Sequence, residues 1–208
     1  MPLHNLPDLT LIRPGHMHEA TGPGRLAFAA ALAGRLAGPV LWVRESRLAD
    51  TLCPQGLLPF FDPGRLVLAH PTGARAVLQV TEETLRSGAA PLVVAELTEA
   101  TDLTASRRLQ LAAGTGGGRG LCLVPQTRAR ANAAETRWHC APIPGEGRQL
   151  WELVKNKRGK LGCWEVTLAA LDPHFPTHDA GVLSPRHPQQ SRGEGQGGDA
   201  AHPANACA

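Results

Sequence analysis

The chain is expected to form a doubly wound α/β fold, a mostly parallel sheet with antiparallel strands added at one edge. Three observations predict this. Short apolar runs at 39–43, 66–69, 91–95 and 121–124 are bounded by turn residues and too brief for helices, as strands buried on both faces should be. Helical periodicity fills the gaps between several of them. After residue 136 the pattern changes to three strand-like segments joined by Pro/Gly turns, the signature of hairpins.

The elements follow in order. His16 to Ala20 reads as the first strand. Arg25 to Leu36 is an Ala-rich helix with apolar residues on one side, stopped by Gly38-Pro39. Pro39 to Val43 and Leu66 to Ala69 are buried strands. Gly73 to Ser87 is an amphipathic helix. Ala76, Val77, Val80 and Leu85 are assigned to its inner face, and Thr81, Glu82, Glu83 and Arg86 to water; Gly88 closes it. Pro91 to Ala95 is a strand. Thr104 to Ala113 is a helix capped from Asp102 or Thr104, and the glycine-rich run from Gly114 to Gly120 ends it. Leu121 to Val124 is the last parallel strand. Thr136 to Ile143, Gln149 to Lys155 and Cys163 to Leu168 make the antiparallel part.

Residues 1–13 are read as an N-terminal arm and 14–171 as the core. Residues 172–208 are read as a disordered tail, rich in Gly, Pro, His and Gln with too little apolar surface to offset ordering entropy. Its histidines are irregularly spaced, and no metal or cofactor is expected. The net charge of +3 does not mark a nucleic-acid binder by itself. The 5 cysteines form no CxxC pair. With no secretory signal or long apolar run, they suggest free thiols in the cytoplasm.

The junction between the first strand and helix carries the most information. A phosphate-binding loop, GxxxxGK[ST], wraps phosphates in backbone N–H groups, reaches them with Lys and holds Mg²⁺ by a hydroxyl. Here Gly22-Pro23 runs straight into Gly24-Arg25-Leu26. The loop is shortened, Arg25 replaces the Lys, Leu26 has no oxygen, and Pro23 has no N–H. Arg25 could hold an anion at a helix N-terminus; a solvated Arg is the commoner outcome. Glu45 and Glu96 lie near strand ends where a metal could sit, but with no phosphate loop to bridge they are assigned structural or solvent-facing roles. His16 and His18 alternate on a strand, with no third ligand in sight. Trp151 and Trp164 are candidates for exposure to a partner.

Several strings, in order, resemble the ATPase core of the RecA recombinases. They are Gly15 through Gly22-Pro23, then Arg86-Ser87-Gly88-Ala89-Ala90 leading to Val93-Val94, then Leu123-Val124-Pro125-Gln126, and last Val154-Lys155-Asn156-Lys157. Ala95 stands where that family ends its Walker B strand in Asp, and Pro125 replaces an Asn. Leu103 to Ala113, Thr136-Arg137-Trp138 and Trp164-Glu165-Val166 are similar to strings of the RecA-like ImuA family. The resemblance covers roughly 14–168.

That resemblance implies a RecA-like fold and a role in SOS mutagenesis and translesion synthesis. It implies a translesion-polymerase-like partner (ImuB-type), an error-prone replicative-type polymerase, and contact with single-stranded DNA or RecA as further candidates. Gln126 would be a vestigial nucleotide sensor, although a plain polar loop residue is the commoner reading. Arg128 and Arg130 follow in the loop where RecA meets DNA. Lys155, Lys157, Arg158 and Lys160 would contact DNA or an acidic partner; a basic hairpin kept in water is the bland alternative. No aromatic residue interleaves these cations, so a dedicated single-strand platform is not indicated. The expected function is a non-catalytic adaptor. A weak RecA-like, DNA-dependent ATPase is the alternative, and a partner that joins or disrupts RecA filaments is a third reading.

Overall fold

The computed structural model describes residues 9–48, 50–125, 131–145, 147–168 and 184–185. Among these, nine strands form one sheet in the order β3-β2-β4-β5-β1-β6-β7-β8-β9. The parallel part holds β1 (Met17–Thr21), β2 (Val40–Arg44), β3 (Leu66–Ala69), β4 (Leu92–Glu96), β5 (Arg119–Leu123) and β6 (Thr136–Pro142). β7 (Arg148–Asn156), β8 (Gly162–Thr167) and the two-residue β9 (Ser184–Pro185) continue it antiparallel. Helices α1 (Arg25–Gly34), the short α2 (Pro54–Leu57), α3 (Ala74–Ser87) and α4 (Leu103–Gly116) complete the described fold.

Alternation along the strands gives each face of the sheet its own core. Leu92 and Val94 join Trp42, Leu121, Leu123 and Trp138 beneath α1, while Val93 and Ala95 join Met17, Val43 and Cys122 beneath α3 and α4. Under α1, Phe28 lies 5.2 Å from Trp138 and 4.9 Å from Trp151, edge-on to the latter. Trp151 is therefore core, and not the exposed anchor its sequence context suggested.

Several expectations need correction. β3 is an edge strand, so Val67 and Leu68 are exposed rather than buried. On α3, Thr81 and Glu82 are buried because α3 packs along α4 as well as on the sheet. The Thr81 hydroxyl donates back to the Val77 carbonyl at 2.7 Å, and Glu82 pairs with Arg86 and with Arg108 of α4. α4 runs three residues past Ala113 and stops at Gly117 in the left-handed region (φ 73°). Gly116 must be glycine there, since a Cβ would lie 1.9 Å from the Leu85 carbonyl. Asp102 is the cap, its Oδ1 accepting from the Ala105 N–H at 2.7 Å.

The core also begins before Pro14, with Ile12 buried and its carbonyl accepting from Arg119 Nε at 2.7 Å. Of the C-terminal segment, Ser184–Pro185 pairs with β8; the rest of the expected tail lies outside the described residues. Cys53, Cys122 and Cys140 are free thiols, but Cys163 is disulfide-bonded. The expectation of free thiols fails at that position, because spacing along the chain does not show which sulfurs meet in space. No helix of the described residues is long and apolar enough to cross a membrane.

Candidate functional site: a closed loop and a strapped basic strand

The Gly22–Arg25 junction follows β1 at the carboxyl edge of the sheet, where open α/β sheets place ligands. It is packed against β6. Gly22 has φ 84°, and a Cβ there would meet the Cys140 carbonyl oxygen at 2.4 Å. The Gly24 N–H, which would face a phosphate in a working loop, donates to that same carbonyl at 2.9 Å. Arg25 turns back, its Nη1 donating to the Gly22 carbonyl at 3.0 Å. Leu26 is exposed and Pro23 offers no donor. Thr21, just before the loop, donates its hydroxyl to the Trp138 carbonyl at 3.1 Å. So β6 takes up donor groups at the base of the loop.

The candidate carboxylates are held elsewhere. Glu96 Oε1 accepts from Trp42 Nε1 at 2.7 Å and lies 3.5 Å from Arg44 Nε. Ala95, where a Walker B Asp would stand, is buried with no polar atom to offer. Glu45 and Glu96 both border a cavity of about 300 Å³ that also includes Glu99 and Asp102. Among the described residues no group of three or more His, Cys, Asp or Glu is placed to hold a metal ion.

His18 and His16 do not form a site. His18 is fully buried, with Nδ1 2.8 Å from Thr136 Oγ1 and Nε2 3.1 Å from the Arg13 carbonyl. His16 lies 3.1 Å from Gln110 Nε2. Burial pushes the His18 pKa down to about 4, so the folded protein keeps the ring neutral. The unfolded chain binds the proton more readily. Stability should therefore be unaffected by this group above pH 6.5 and fall by about 3 kcal/mol as the pH drops from 6.5 to 4. Urea unfolding of the wild type and His18→Gln across that window should show a shallower slope for the variant; parallel slopes would contradict the assignment.

Gln126, Arg128 and Arg130 lie outside the described residues. The basic string is described, and three of its four cations are engaged within the molecule. Lys155 Nζ donates to the Asn132 backbone carbonyl at 2.9 Å and to its Oδ1 at 3.2 Å. Lys157 Nζ donates to the Ala133 carbonyl at 2.7 Å. Arg158 Nε lies 2.8 Å from Glu135 Oε1. Partial burial lowers the Lys155 pKa, with the charges of Arg137 and Lys157 adding to the effect. Only Lys160 matches the reading of a cation simply held in water; it is exposed at the hairpin tip.

These straps belong to a buried network that motif reading missed. Glu19 sits in mid-strand on β1. Its Oε1 accepts from Asn132 Nδ2 at 2.5 Å, and its Oε2 from Arg137 Nε at 2.6 Å. Arg137 on β6 faces Glu19 on β1 and Lys155 on β7, so the three charges form a row across adjacent strands. Asn132 and the residues after it lie over this row. The Ala133 N–H donates to Ser106 Oγ of α4 at 2.9 Å, and the Glu135 N–H to the Met17 carbonyl at 2.7 Å. The one local signal was a carboxylate inside Met17-His18-Glu19-Ala20-Thr21, a strand otherwise destined for burial.

Loop and hairpin are also far apart in the fold. Gly22 follows the carboxyl end of β1, whereas Asn156 is paired with Thr136 at the opposite, amino edge of the parallel strands. The sequence alone does not bring this out.

Strand order and the strand–loop–helix junction define a RecA-like α/β domain whose phosphate-loop position is occupied by its own β6 backbone. Among solved structures the RadB recombinase has a similar fold, with a TM-score of 0.58 at 14% identity over 77% of this chain and 92% of that one. In sequence the chain is 34% identical to Protein ImuA of Caulobacter vibrioides, in each of two strains, over 77% of this chain and 78% of the relative. The chain belongs to the ImuA family. No family model matches it.

Proposed function

We propose that this chain is a non-catalytic RecA-like adaptor in damage-induced, error-prone DNA repair. It acts in the cytoplasm within an SOS-mutagenesis system. Its main activity is to bind a translesion-polymerase-like protein of the ImuB type, in the company of an error-prone replicative-type polymerase. Contact with single-stranded DNA or RecA is secondary. Family membership supports the setting. The observation that carries the non-catalytic part is the Gly24 N–H bonded to the Cys140 carbonyl, with Gly22 pressed on the same oxygen. A triphosphate would need those N–H groups turned outward, a Lys and a hydroxyl, and Gly24-Arg25-Leu26 supplies neither side chain.

Purified protein should release no phosphate from ATP above background with Mg²⁺, with or without single-stranded DNA. It should capture the translesion-polymerase-like protein under the same conditions. Turnover abolished by Arg25→Ala would establish the ATPase alternative and sink the adaptor reading. Failure to capture the polymerase-like protein would remove its partner.

A further inference from the structure

The amino edge of the sheet, opposite the closed loop, carries a cavity of about 800 Å³. It is walled by the segment before β1, the start of β5, the start of β6 and the β7–β8 hairpin. Its charged residues are Arg13, Arg119, Arg158 and Lys160 against the single carboxylate of Glu135. Glu135 is already paired with Arg158 and buried, so it does not offset the remaining cations. Arg13 and Lys160 are exposed, and no ion pair is formed by either among the described residues. The apolar part of the lining is Leu11, Pro14, Leu161 and Trp164. Leu161 is 55% exposed, a poor position for a leucine unless something covers it.

We propose that this groove is a docking site for a partner segment in which acidic residues alternate with apolar ones. Carboxylates would meet Arg13, Lys160 and the outer face of Arg158, and a leucine-sized side chain would seat on Leu161 and Trp164. A nucleic-acid backbone suits the groove less well. It has no side chain to cover Leu161, and the wall has a single aromatic residue, Trp164, whose ring lies tilted 5.3 Å from Trp138 with Gly162 packed on its edge, so there is no run of aromatic faces for successive bases. Electrostatic attraction at such a rim speeds association and falls with salt, while the apolar contact holds the complex. This deepens the adaptor reading by naming the surface and the chemistry of what it grips, and it rests on that reading only for the identity of the partner.

The test uses the full chain and a fluorescein-labelled peptide in which Asp and Glu alternate with Leu. Anisotropy should show saturable binding, weaker when Ser replaces Leu in the peptide and absent when Lys replaces the acids. Arg13→Glu combined with Lys160→Glu should weaken binding about tenfold or more, and Leu161→Asp by a similar factor. Circular dichroism should show all variants folded, since these side chains are exposed. No binding by the wild type, binding indifferent to both variants, or displacement by an equal length of single-stranded DNA would each overturn the proposal. Displacement would instead assign the groove to nucleic acid. Capture of the translesion-polymerase-like protein by the variants at wild-type strength would overturn the groove while leaving the adaptor reading intact. Loss of that capture by the wild type would sink the adaptor reading, and the peptide result would still decide the groove.

Discussion

Glu19→Ala is expected to cost the fold about 3–5 kcal/mol, among the largest effects of any single substitution in this chain. The carboxylate is almost wholly buried and accepts from Asn132 and Arg137 at 2.5 and 2.6 Å. Removing it takes away the carboxylate to which the partly buried Arg137 donates and the acceptor of the Asn132 side-chain amide. Asn132 in turn receives Lys155, so the cover over the β1–β6–β7 row should loosen as a unit. The fall in Tm should be about 10 °C or more. Glu19→Gln keeps an acceptor for Asn132 and should lose less. Replacing both charges, Glu19→Leu with Arg137→Leu, should recover much of the loss, because a buried pair contributes little beyond its own desolvation cost. A Glu19→Ala protein that melts with the wild type would mean that the row is not a structural element.

Gly22→Ala comes next, with an expected loss of about 2–4 kcal/mol. Two costs add. The backbone sits at φ 84°, which a side chain disfavours, and the new methyl carbon would lie 2.4 Å from the Cys140 carbonyl oxygen and 2.9 Å from the His139 ring. Backbone cannot swing away as a flexible side chain can, so the loop must lift from β6 and release the Gly24 N–H. Pro23→Ala, at the exposed neighbour, is the control and should be near neutral. Equal urea midpoints for Gly22→Ala and wild type would show that the loop is not held on β6, which would reopen the space a phosphate needs.

Elements α1, α3 and α4 and most of the strands were legible in the residues because their signals are local. Apolar runs such as Leu92-Val93-Val94-Ala95 announce two-sided burial, and Asp102 and Gly88 mark helix boundaries, whereas α1 ends at Gly34, ahead of the Gly38-Pro39 stop its pattern suggested. The shortened Gly22-Pro23-Gly24-Arg25-Leu26 junction could be read the same way, since a missing Lys and a missing hydroxyl are facts about residue identity. Motif order was enough to suggest the RecA-like fold and the ImuA family.

What became of the polar side chains was decided only by tertiary structure. Lys155, Lys157 and Arg158 look in sequence like a basic hairpin held in water. Their partners, Asn132, Ala133 and Glu135, arrive from a segment more than twenty residues earlier. Glu19 and Arg137 are separated by 118 positions and meet because β1 and β6 are neighbours in the sheet. Val67 and Leu68 match the apolar pattern of a buried strand and are exposed because β3 is the last strand on its side. Periodicity and turn chemistry act over a few residues. Which charge is neutralised, which edge is left open and what covers a loop depend on neighbours that the sheet order brings in from distant parts of the chain.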